Sequence, residues 1–409
     1  MVPKETNLRY LLGTFCKDFK ISPKPLIQDS STKMSNLNPW LKSLLDSSSK
    51  GKVEFRPSPL GGLGGFAKQN MQVGDIVFDI PRHLLISSSS LRVRSHPLIS
   101  KLALNLDVSS EILLFVYMIL MRQKQDIEIN EDAHYFNSLP EKPLQLVLEE
   151  LNGTNVGTQL SLDQREMTEQ LQHIHSIKEL KFVTLQDLLI AKFNYNSRRY
   201  PLRFSEEYDL APIPSGRPSG ANTTDAAGNT HPRKKRKSSK EEIVEPSRRV
   251  YDVTQGCLVP LLDVLNHSRP PAGQKCLQFD TSISNILRVT TGVPVSKGEE
   301  IFSDYGCVNN DQCLLQFGFC SADPEVLDIY SVVLGGQRYD LVPGMEFPLP
   351  IVLDGGYGLS MHLRGKLKSL LQAKPSRNVH VKSYMLKQRG LLQALIEECD
   401  ALLDEEEED

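Results

Sequence analysis

The chain has 409 residues, of which 40% are hydrophobic and 24% are charged, and its formal net charge is −3. A chain of this length and composition is expected to be a soluble globular protein with two or three packed units and a substantial core. The nearly balanced charge argues against a nucleic-acid-binding surface that covers a whole face, so nucleic acid is not an expected partner.

The N-terminal part predicts a short extension followed by a β-rich unit. Residues 1–33 are weakly patterned, Met34 is a candidate alternative start, and we assign residues 1–39 to the extension. From Trp40 onward, a short amphipathic helix precedes short strands that Gly and Pro residues separate. This pattern is typical of β-rich folds, and we assign the unit to residues 40–95.

A glycine-rich segment lies among these strands, at residues 61–67, with the sequence Gly-Gly-Leu-Gly-Gly-Phe-Ala. It lacks the Gly-Lys-Ser/Thr ending of a phosphate-binding loop, and no clear helix follows it, so neither nucleotide fingerprint fits. Glycines here would instead allow a turn in which the backbone approaches a small ligand closely.

Residues 96–204 change to a helical pattern, because their apolar side chains recur every three or four positions. The longest apolar run, Ile112–Met121, has ten residues and is too short to span a bilayer. The N-terminus has no charged-then-apolar signal pattern. We therefore expect a buried helix within a helical insertion, and no membrane partner.

Residues 205–249 differ in kind from the rest of the chain. They are rich in Pro, Gly, Ser, Thr and Ala, which predicts a disordered loop. The basic run Arg233–Lys237 within it is typical of a nuclear localisation signal that an import receptor reads. A patch for nucleic acid or an acidic partner, and a merely solvated charge run, are the alternatives. The expected location is the nucleus, the cytoplasm or both.

A polar motif follows an apolar run in the next unit, which we assign to residues 250–322. The run Leu258–Leu262 precedes Asp263–Ser268, whose sequence is Asp-Val-Leu-Asn-His-Ser. An apolar strand or turn of this kind would deliver Asn266 and His267 into the interior, where the amide can donate and accept hydrogen bonds at once. This capacity suits a ligand that carries both an amine and a purine. The motif is also formally a glycosylation sequon, which matters only in a secreted chain.

A second motif, Asp304–Gly306, follows a predicted short strand at 299–302. It places the Tyr305 phenol at a strand end, before a glycine that allows a tight turn. Such a hydroxyl can hold a nitrogen lone pair in line with a methyl carbon, and positioning of this kind contributes roughly 7 to 11 kcal/mol to lowering a barrier. Taken alone, a Tyr-Gly pair is more often a turn beside a half-buried ring.

The C-terminal part predicts a small helical lobe at residues 323–403, after a strand-like stretch at Ile329–Leu334. Six consecutive acidic residues form a tail at 404–409. The tail is most simply a solvated chain end, although it could attract a basic substrate.

In order and spacing, the glycine-rich segment, the Asn-His motif, Tyr305 and the Leu315–Phe319 segment (Leu-Gln-Phe-Gly-Phe) resemble SET-domain methyltransferases. The pattern looks like the Rubisco large-subunit methyltransferase class, whose SET domain is split by a helical insertion. The resemblance implies an α+β fold with a β-rich SET domain and a pseudoknot. It makes 40–95 and 250–322 the two parts of that domain, and 323–403 a substrate-binding lobe shorter than usual for the class.

The resemblance also implies S-adenosylmethionine as the cofactor and Tyr305 as the catalytic residue. The implied cofactor-binding residues are Gly61, Gly62, Leu63, Gly64, Arg198, Asn266, His267, Tyr305 and Phe319. Arg198 would bind the cofactor's carboxylate, which suits a bidentate guanidinium, and a solvated helix-end arginine is the alternative.

Asp263 and Phe317 are expected to contact the substrate. Phe317 stands where the family usually has tyrosine, so it lacks a hydroxyl that could bind the substrate amine. For the rings of Phe317 and Phe319, core packing is the alternative.

No metal is expected. The seven cysteines form no C-x-x-C pair, and the spacings of six and seven between Cys307, Cys313 and Cys320 leave a four-ligand zinc site incomplete. Buried cysteines in a reducing compartment are the simplest account.

The implied activity is the transfer of a methyl group to a lysine side chain of another protein, by a monomer. A histidine acceptor is one alternative, although the branch with that activity carries bulkier residues where this chain has Leu262–Leu265. A SET-fold scaffold or reader without catalysis is the other. The sequence identifies neither the substrate protein nor the number of methyl groups added.

Overall fold

The computed structural model describes residues 38–60, 62–105, 107–123, 130–141, 148–202, 256–270, 273–306, 309–321, 326, 328–334, 337–348, 351 and 357–408. These ranges do not include residues 1–37, among which is Met34. They also do not include Gly61, Cys307 or the basic loop with Arg233–Lys237. No helix within the described ranges is long and apolar enough to cross a membrane.

Two parts of the sequence that are far apart pair in the same small antiparallel sheets. The strands are β1 (Val53–Pro57), β2 (Leu63–Ala67), β3 (Ile76–Pro81), β4 (Arg199–Tyr200), β5 (Cys257–Leu258), β6 (Leu277–Asp280), β7 (Ile286–Thr291) and β8 (Glu300–Ile301). One sheet has the order β1-β2-β8, another has the order β3-β7-β6, and β4 pairs with β5. Strand β2 pairs with β8, and β3 pairs with β7, so the two distant parts of the sequence form one fold. The helical residues between these parts are an insertion in that fold.

The N-terminal helix α1 (Pro39–Ser49) covers these sheets. It begins at Asn38, whose side chain accepts a hydrogen bond from the Trp40 N–H at 2.9 Å, and Pro39 occupies the first turn, where its missing N–H is not needed. Leu41, Leu44 and Leu45 are buried in the core that the sheets share. Their helical spacing is the pattern from which the helix was predicted.

The insertion is helical, as its periodicity predicts. Its helices are α2 (Leu91–Arg94), α3 (Pro97–Ala103), α4 (Ser110–Gln123), α5 (Glu131–Ser138), α6 (Asn155–His175) and α7 (Leu185–Asn196). All ten residues of Ile112–Met121 are buried in α4, which confirms the prediction of a buried helix.

The chain after Tyr305 is mostly helical. Its elements are α8 (Asn310–Gln312), a π-helical turn (Cys313–Phe317), β9 (Tyr330–Leu334), β10 (Gln337–Leu341), α9 (Tyr357–Leu371) and α10 (Val379–Glu408). The α+β architecture is thus confirmed, while the boundaries assigned between the units and the threading of a pseudoknot stay predictions.

A buried carboxylate, Asp311 of α8, joins the insertion to the C-terminal helices. It accepts hydrogen bonds from the Tyr384 hydroxyl of α10 at 2.6 Å and from the Asn155 amide of α6 at 3.1 Å. Burial raises the pKa of Asp311 to about 6, and these hydrogen bonds oppose the rise.

We predict that protonation of Asp311 makes the folded protein more stable as the pH falls. Because the folded-state pKa of about 6 lies above the usual 3.8, the folded protein takes up a proton between pH 7.5 and 5 and the unfolded chain does not. Relative to Asp311→Asn, the wild type should gain about 1 kcal/mol of unfolding free energy over this interval.

Urea unfolding of both proteins at the two pH values measures this gain. Asp46→Asn, at an exposed position on α1, is the matched control and should show no such change relative to wild type. A stability difference between Asp311→Asn and wild type that is the same at both pH values would contradict the assignment.

Candidate active site

The two polar motifs lie side by side because one segment pairs with the other. The Ser303 N–H donates to the Asn266 carbonyl at 2.9 Å, and the Ser268 N–H donates to the Ser303 carbonyl at 3.2 Å. His267 and Ser303 therefore form a parallel bridge. The backbone groups of the intervening His267 then point away from Ser303.

A strained turn leads into this segment. Leu261 is fully buried and has φ 73° and ψ −44°, a conformation that an L-residue rarely adopts. It lies three residues after the end of the short strand β5 and directly precedes a 3₁₀ turn at Leu262–Val264. The Tyr200 hydroxyl donates to the Leu262 carbonyl at 2.9 Å and lies 3.4 Å from the Ser303 hydroxyl. It therefore supports both of the segments that pair at His267 and Ser303. Burial, with Tyr305 nearby, raises the pKa of Tyr200 well above its usual value.

The Asn266 side chain is fixed by two oxygen atoms. Its Nδ2 donates to the Leu63 carbonyl at 3.2 Å and to Glu300 Oε1 at 2.7 Å. The other carboxylate oxygen of Glu300 accepts a hydrogen bond from the Ser58 hydroxyl at 2.8 Å. The sequence reasoning found neither Glu300 nor Ser58, although the place of Glu300 in a strand directly before Tyr305 was an available signal.

Glycines in β2 make room for these side chains. A Cβ on Gly64 would lie 2.1 Å from Glu300 Oε1 and 3.1 Å from Asn266 Nδ2. A Cβ on Gly65 would lie 2.4 Å from a methyl carbon of Leu265. The glycine-rich pattern therefore admits both the site's carboxylate and the residue just before Asn266. Gly62, at φ 66°, forms the exposed turn that enters β2.

Tyr305 is anchored to the neighbouring segment at two points. Its hydroxyl donates to the Leu265 carbonyl at 2.8 Å, and its backbone N–H donates to His267 Nδ1 at 3.1 Å. A ring nitrogen that accepts carries no proton, so His267 is neutral here, and its 3.9 Å approach to Asp304 is not an ion pair. The phenolic oxygen keeps acceptor capacity, since its proton is directed to Leu265.

Half-buried aromatic rings form one wall beside Tyr305. The Phe317 ring stacks on the Tyr305 ring with centroids 4.4 Å apart. The His267 ring lies 5.1 Å from that of Tyr305 and 5.8 Å from that of Phe319. Phe317 and Phe319 flank Gly318, whose φ of 78° turns the chain after the π-helical turn. The geometry thus brings Phe317 and Phe319 to the site, and their ligand-contacting roles stay predictions.

Arg198 and Asp263, the latter three residues before Asn266 in the chain, contact each other. Arg198 Nε lies 3.7 Å from Asp263 Oδ2, and the Tyr135 hydroxyl donates to the same oxygen at 3.0 Å. The Asp263 side chain is only 4% exposed, and its burial raises the pKa of the carboxyl to about 6 against the opposing effects of Arg198 and Tyr135. Arg198 Nη1 also donates to Ser197 and Asn194. Cofactor binding by Arg198 and substrate contact by Asp263 stay predictions.

The structure brings Leu63, Gly64, Asn266, His267, Tyr305, Phe317 and Phe319 together, whereas Arg198 contacts Asp263, three residues before Asn266. Gly61 lies outside the described residues. In the part of the chain that the structure describes, no cluster of His, Cys, Asp or Glu side chains could hold a metal ion.

Comparisons with known proteins agree with this geometry. A family model described as the SET domain matches residues 62–306. A comparison with curated proteins finds no match. A solved structure of the SET domain of LSMT bound to lysine and AdoHcy is 15% identical, covers 90% of each chain and has a TM-score of 0.60. One of Rubisco LSMT bound to AdoMet is 15% identical, covers 89% of this chain and 92% of its own, and has a TM-score of 0.60. At this identity the two structures show a shared fold, which is the one that the sequence resemblance implies.

We predict that Gly65→Ala destabilises the fold. The added Cβ would overpack fully buried Leu265, and overpacking of this kind costs about 1 to 3 kcal/mol of unfolding free energy. Gly365→Ala in α9 is the control, since open space surrounds that position and alanine favours helix by up to about 1 kcal/mol. Denaturant titration compares the two variants. Equal stability of Gly65→Ala and wild type would contradict the packing described.

Proposed function

The chain belongs to the SET-domain family, and from that premise we propose that it is an S-adenosylmethionine-dependent methyltransferase that acts on a lysine side chain of another protein. One observation carries the proposal. The single segment Leu265–Ser268 fixes the Tyr305 hydroxyl and also carries the Asn266 amide. The phenol that would bind the lysine amine and the amide that would bind the cofactor are therefore held in fixed positions relative to each other.

The residues present fit the cofactor. Asn266 offers an amide beside the glycine-rich strand, and its carbonyl oxygen faces away from the Leu63 and Glu300 acceptors that its NH₂ group binds. The backbone groups of His267 face away from Ser303 and can hydrogen-bond a purine edge. Gly62, Leu63, Gly64, Arg198 and Phe319 complete the set that we propose for the cofactor. Solved structures with the same fold are described with AdoMet or AdoHcy bound, which supports the assignment.

Tyr305 is the catalytic residue in this proposal. S-adenosylmethionine, when bound, supplies a methyl group on a positively charged sulfur. The Tyr305 hydroxyl donates to the Leu265 carbonyl, so its oxygen can accept an N–H of the incoming amine and direct the nitrogen lone pair towards the methyl carbon. The amine, having lost its proton before the transfer, would form the new C–N bond as the S–C bond breaks. The products would be a methylated ammonium group and the neutral thioether S-adenosylhomocysteine.

The aromatic wall prepares the acceptor. An amine that lies against Tyr305, Phe317 and Phe319 is partly removed from water, which disfavours its charged form and lowers the pKa of a lysine. The neutral, nucleophilic amine is then accessible near neutral pH. The solved SET-domain structure described above has lysine bound together with AdoHcy, which supports lysine as the acceptor here.

We predict that Tyr305→Phe removes methyl transfer while it preserves cofactor binding. Loss of the aligning hydroxyl should lower the turnover number by about 100-fold or more, whereas the S-adenosylmethionine dissociation constant should change by less than about twofold. The assay follows labelled methyl groups from S-adenosylmethionine into the proteins of a lysate that lacks this enzyme.

Tyr339→Phe in β10 is the matched control, because it deletes the same atom from a half-buried tyrosine outside the site. It should retain wild-type turnover. Undiminished transfer by Tyr305→Phe would remove Tyr305 from the mechanism.

The acceptor residue has its own test. Acid hydrolysis of the labelled proteins, followed by amino-acid analysis, should release the label as methyllysine. Recovery of the label as methylhistidine would replace the lysine assignment with a histidine one and leave the proposed cofactor chemistry intact.

A further inference from the structure

We propose that Glu300 is a positioning residue that fixes which way the Asn266 amide faces, and that it thereby makes the site selective for adenosyl ligands that carry an ammonium group. This inference rests on the proposed function and deepens it, because it concerns how the same site recognises the amino-acid end of its cofactor. Glu300 was not among the site residues expected from the sequence.

The orientation of the Asn266 amide follows from the chemistry of its partners. The Leu63 carbonyl and the Glu300 carboxylate can only accept hydrogen bonds. The Asn266 NH₂ group must therefore face both of them, and its carbonyl oxygen must face the opposite way. Among the described residues, no donor reaches this oxygen. An amide oxygen held in this direction is a ready acceptor for an ammonium group.

Glu300 is itself held in place. The Ser58 hydroxyl receives the Leu60 N–H at 3.1 Å, which directs its own proton to Glu300 Oε2 at 2.8 Å. The Ser58 N–H in turn donates to the Gly62 carbonyl at 3.1 Å. These bonds connect the turn before β2 to the Glu300 carboxylate, and through it to the Asn266 amide.

Gly64 gives independent support. Glu300 Oε1 lies where a side chain at position 64 would begin, 2.1 Å from the position of a Cβ. Residue 64 is therefore small because the carboxylate needs this space, in addition to any approach of the backbone to a ligand. The neighbouring Glu299 behaves differently, since it is exposed and accepts a hydrogen bond from the Ser296 N–H at 2.7 Å.

Removal of the carboxylate should leave the Asn266 amide oriented only by its longer, 3.2 Å bond to the Leu63 carbonyl, so that the amide rotates more readily. In the rotated state its NH₂ group would face the ligand's ammonium, so that two donors would oppose each other. Affinity for a ligand with an ammonium group should fall by about tenfold or more, which is the loss expected for a hydrogen bond to a charged group. A ligand without the amino-acid end should bind as before.

The experiment compares two ligands on four proteins. S-adenosylhomocysteine carries the amine and the carboxylate, whereas 5′-deoxy-5′-methylthioadenosine keeps only the adenosine and the thioether. The proteins are the wild type, Glu300→Met, Glu300→Gln and Glu299→Gln. Calorimetric titration gives both dissociation constants for each protein, and thermal unfolding checks that each one is folded.

The proposal predicts a selective loss in one variant. Glu300→Met, which has no acceptor, should weaken S-adenosylhomocysteine about tenfold or more and leave methylthioadenosine within about twofold. Glu300→Gln should bind nearly as the wild type does, because its carbonyl can accept from Asn266 while its NH₂ donates to Ser58. Glu299→Gln should match the wild type with both ligands.

Other results would overturn the proposal. An equal loss of both ligands in Glu300→Met would make Glu300 a merely structural residue, and no loss would show that it does not act on the amide. If wild-type protein failed to bind S-adenosylhomocysteine at all, the proposed function would fail first, so the two failures are distinguishable.

Discussion

The parallel pairing of His267 with Ser303 is the constraint on which the rest of the site depends. Two backbone hydrogen bonds hold these two segments together, and they set the distance between the Asn266 amide and the chain that leads to Tyr305. The Tyr305 phenol and backbone N–H then return to Leu265 and His267. Because every link runs to the same short segment, a shift of that segment would misplace the phenol and the amide together.

The packing around the paired segments explains several residues whose role is to support the site. Gly65 is needed because Leu265 fills the space beside β2. Farther out, Asp263 contacts Arg198 and Tyr135 of the insertion, while Asp311 joins α6 and α10. Burial raises the pKa of each carboxyl to about 6. These contacts hold the insertion and the C-terminal helices in place relative to the site. Because both carboxyl groups have a pKa of about 6, mild acid protonates both.

Sequence reasoning recovered the features that depend on local pattern or on motif order. The buried helix at Ile112–Met121 follows from hydrophobic periodicity, and Asn266, His267 and Tyr305 follow from their motifs. Glu300, Ser58 and Tyr200 were missed because their roles arise from distant pairings: Ser58 and Glu300 are 242 positions apart, and Tyr200 and Leu262 are 62 apart. The turn at Leu261 was not predictable either, since leucine disfavours a positive φ and only the surrounding packing imposes it.

The most direct test of the account is the thermal unfolding of wild-type protein and Asn266→Ala, each with and without saturating S-adenosylmethionine. A ligand at about 100 times its dissociation constant stabilises the folded state by roughly 2.7 kcal/mol. The account predicts a clear rise in the wild-type midpoint that is lost in Asn266→Ala. No rise in either protein, with both correctly folded, would contradict it and would favour a SET-fold scaffold that does not bind the cofactor.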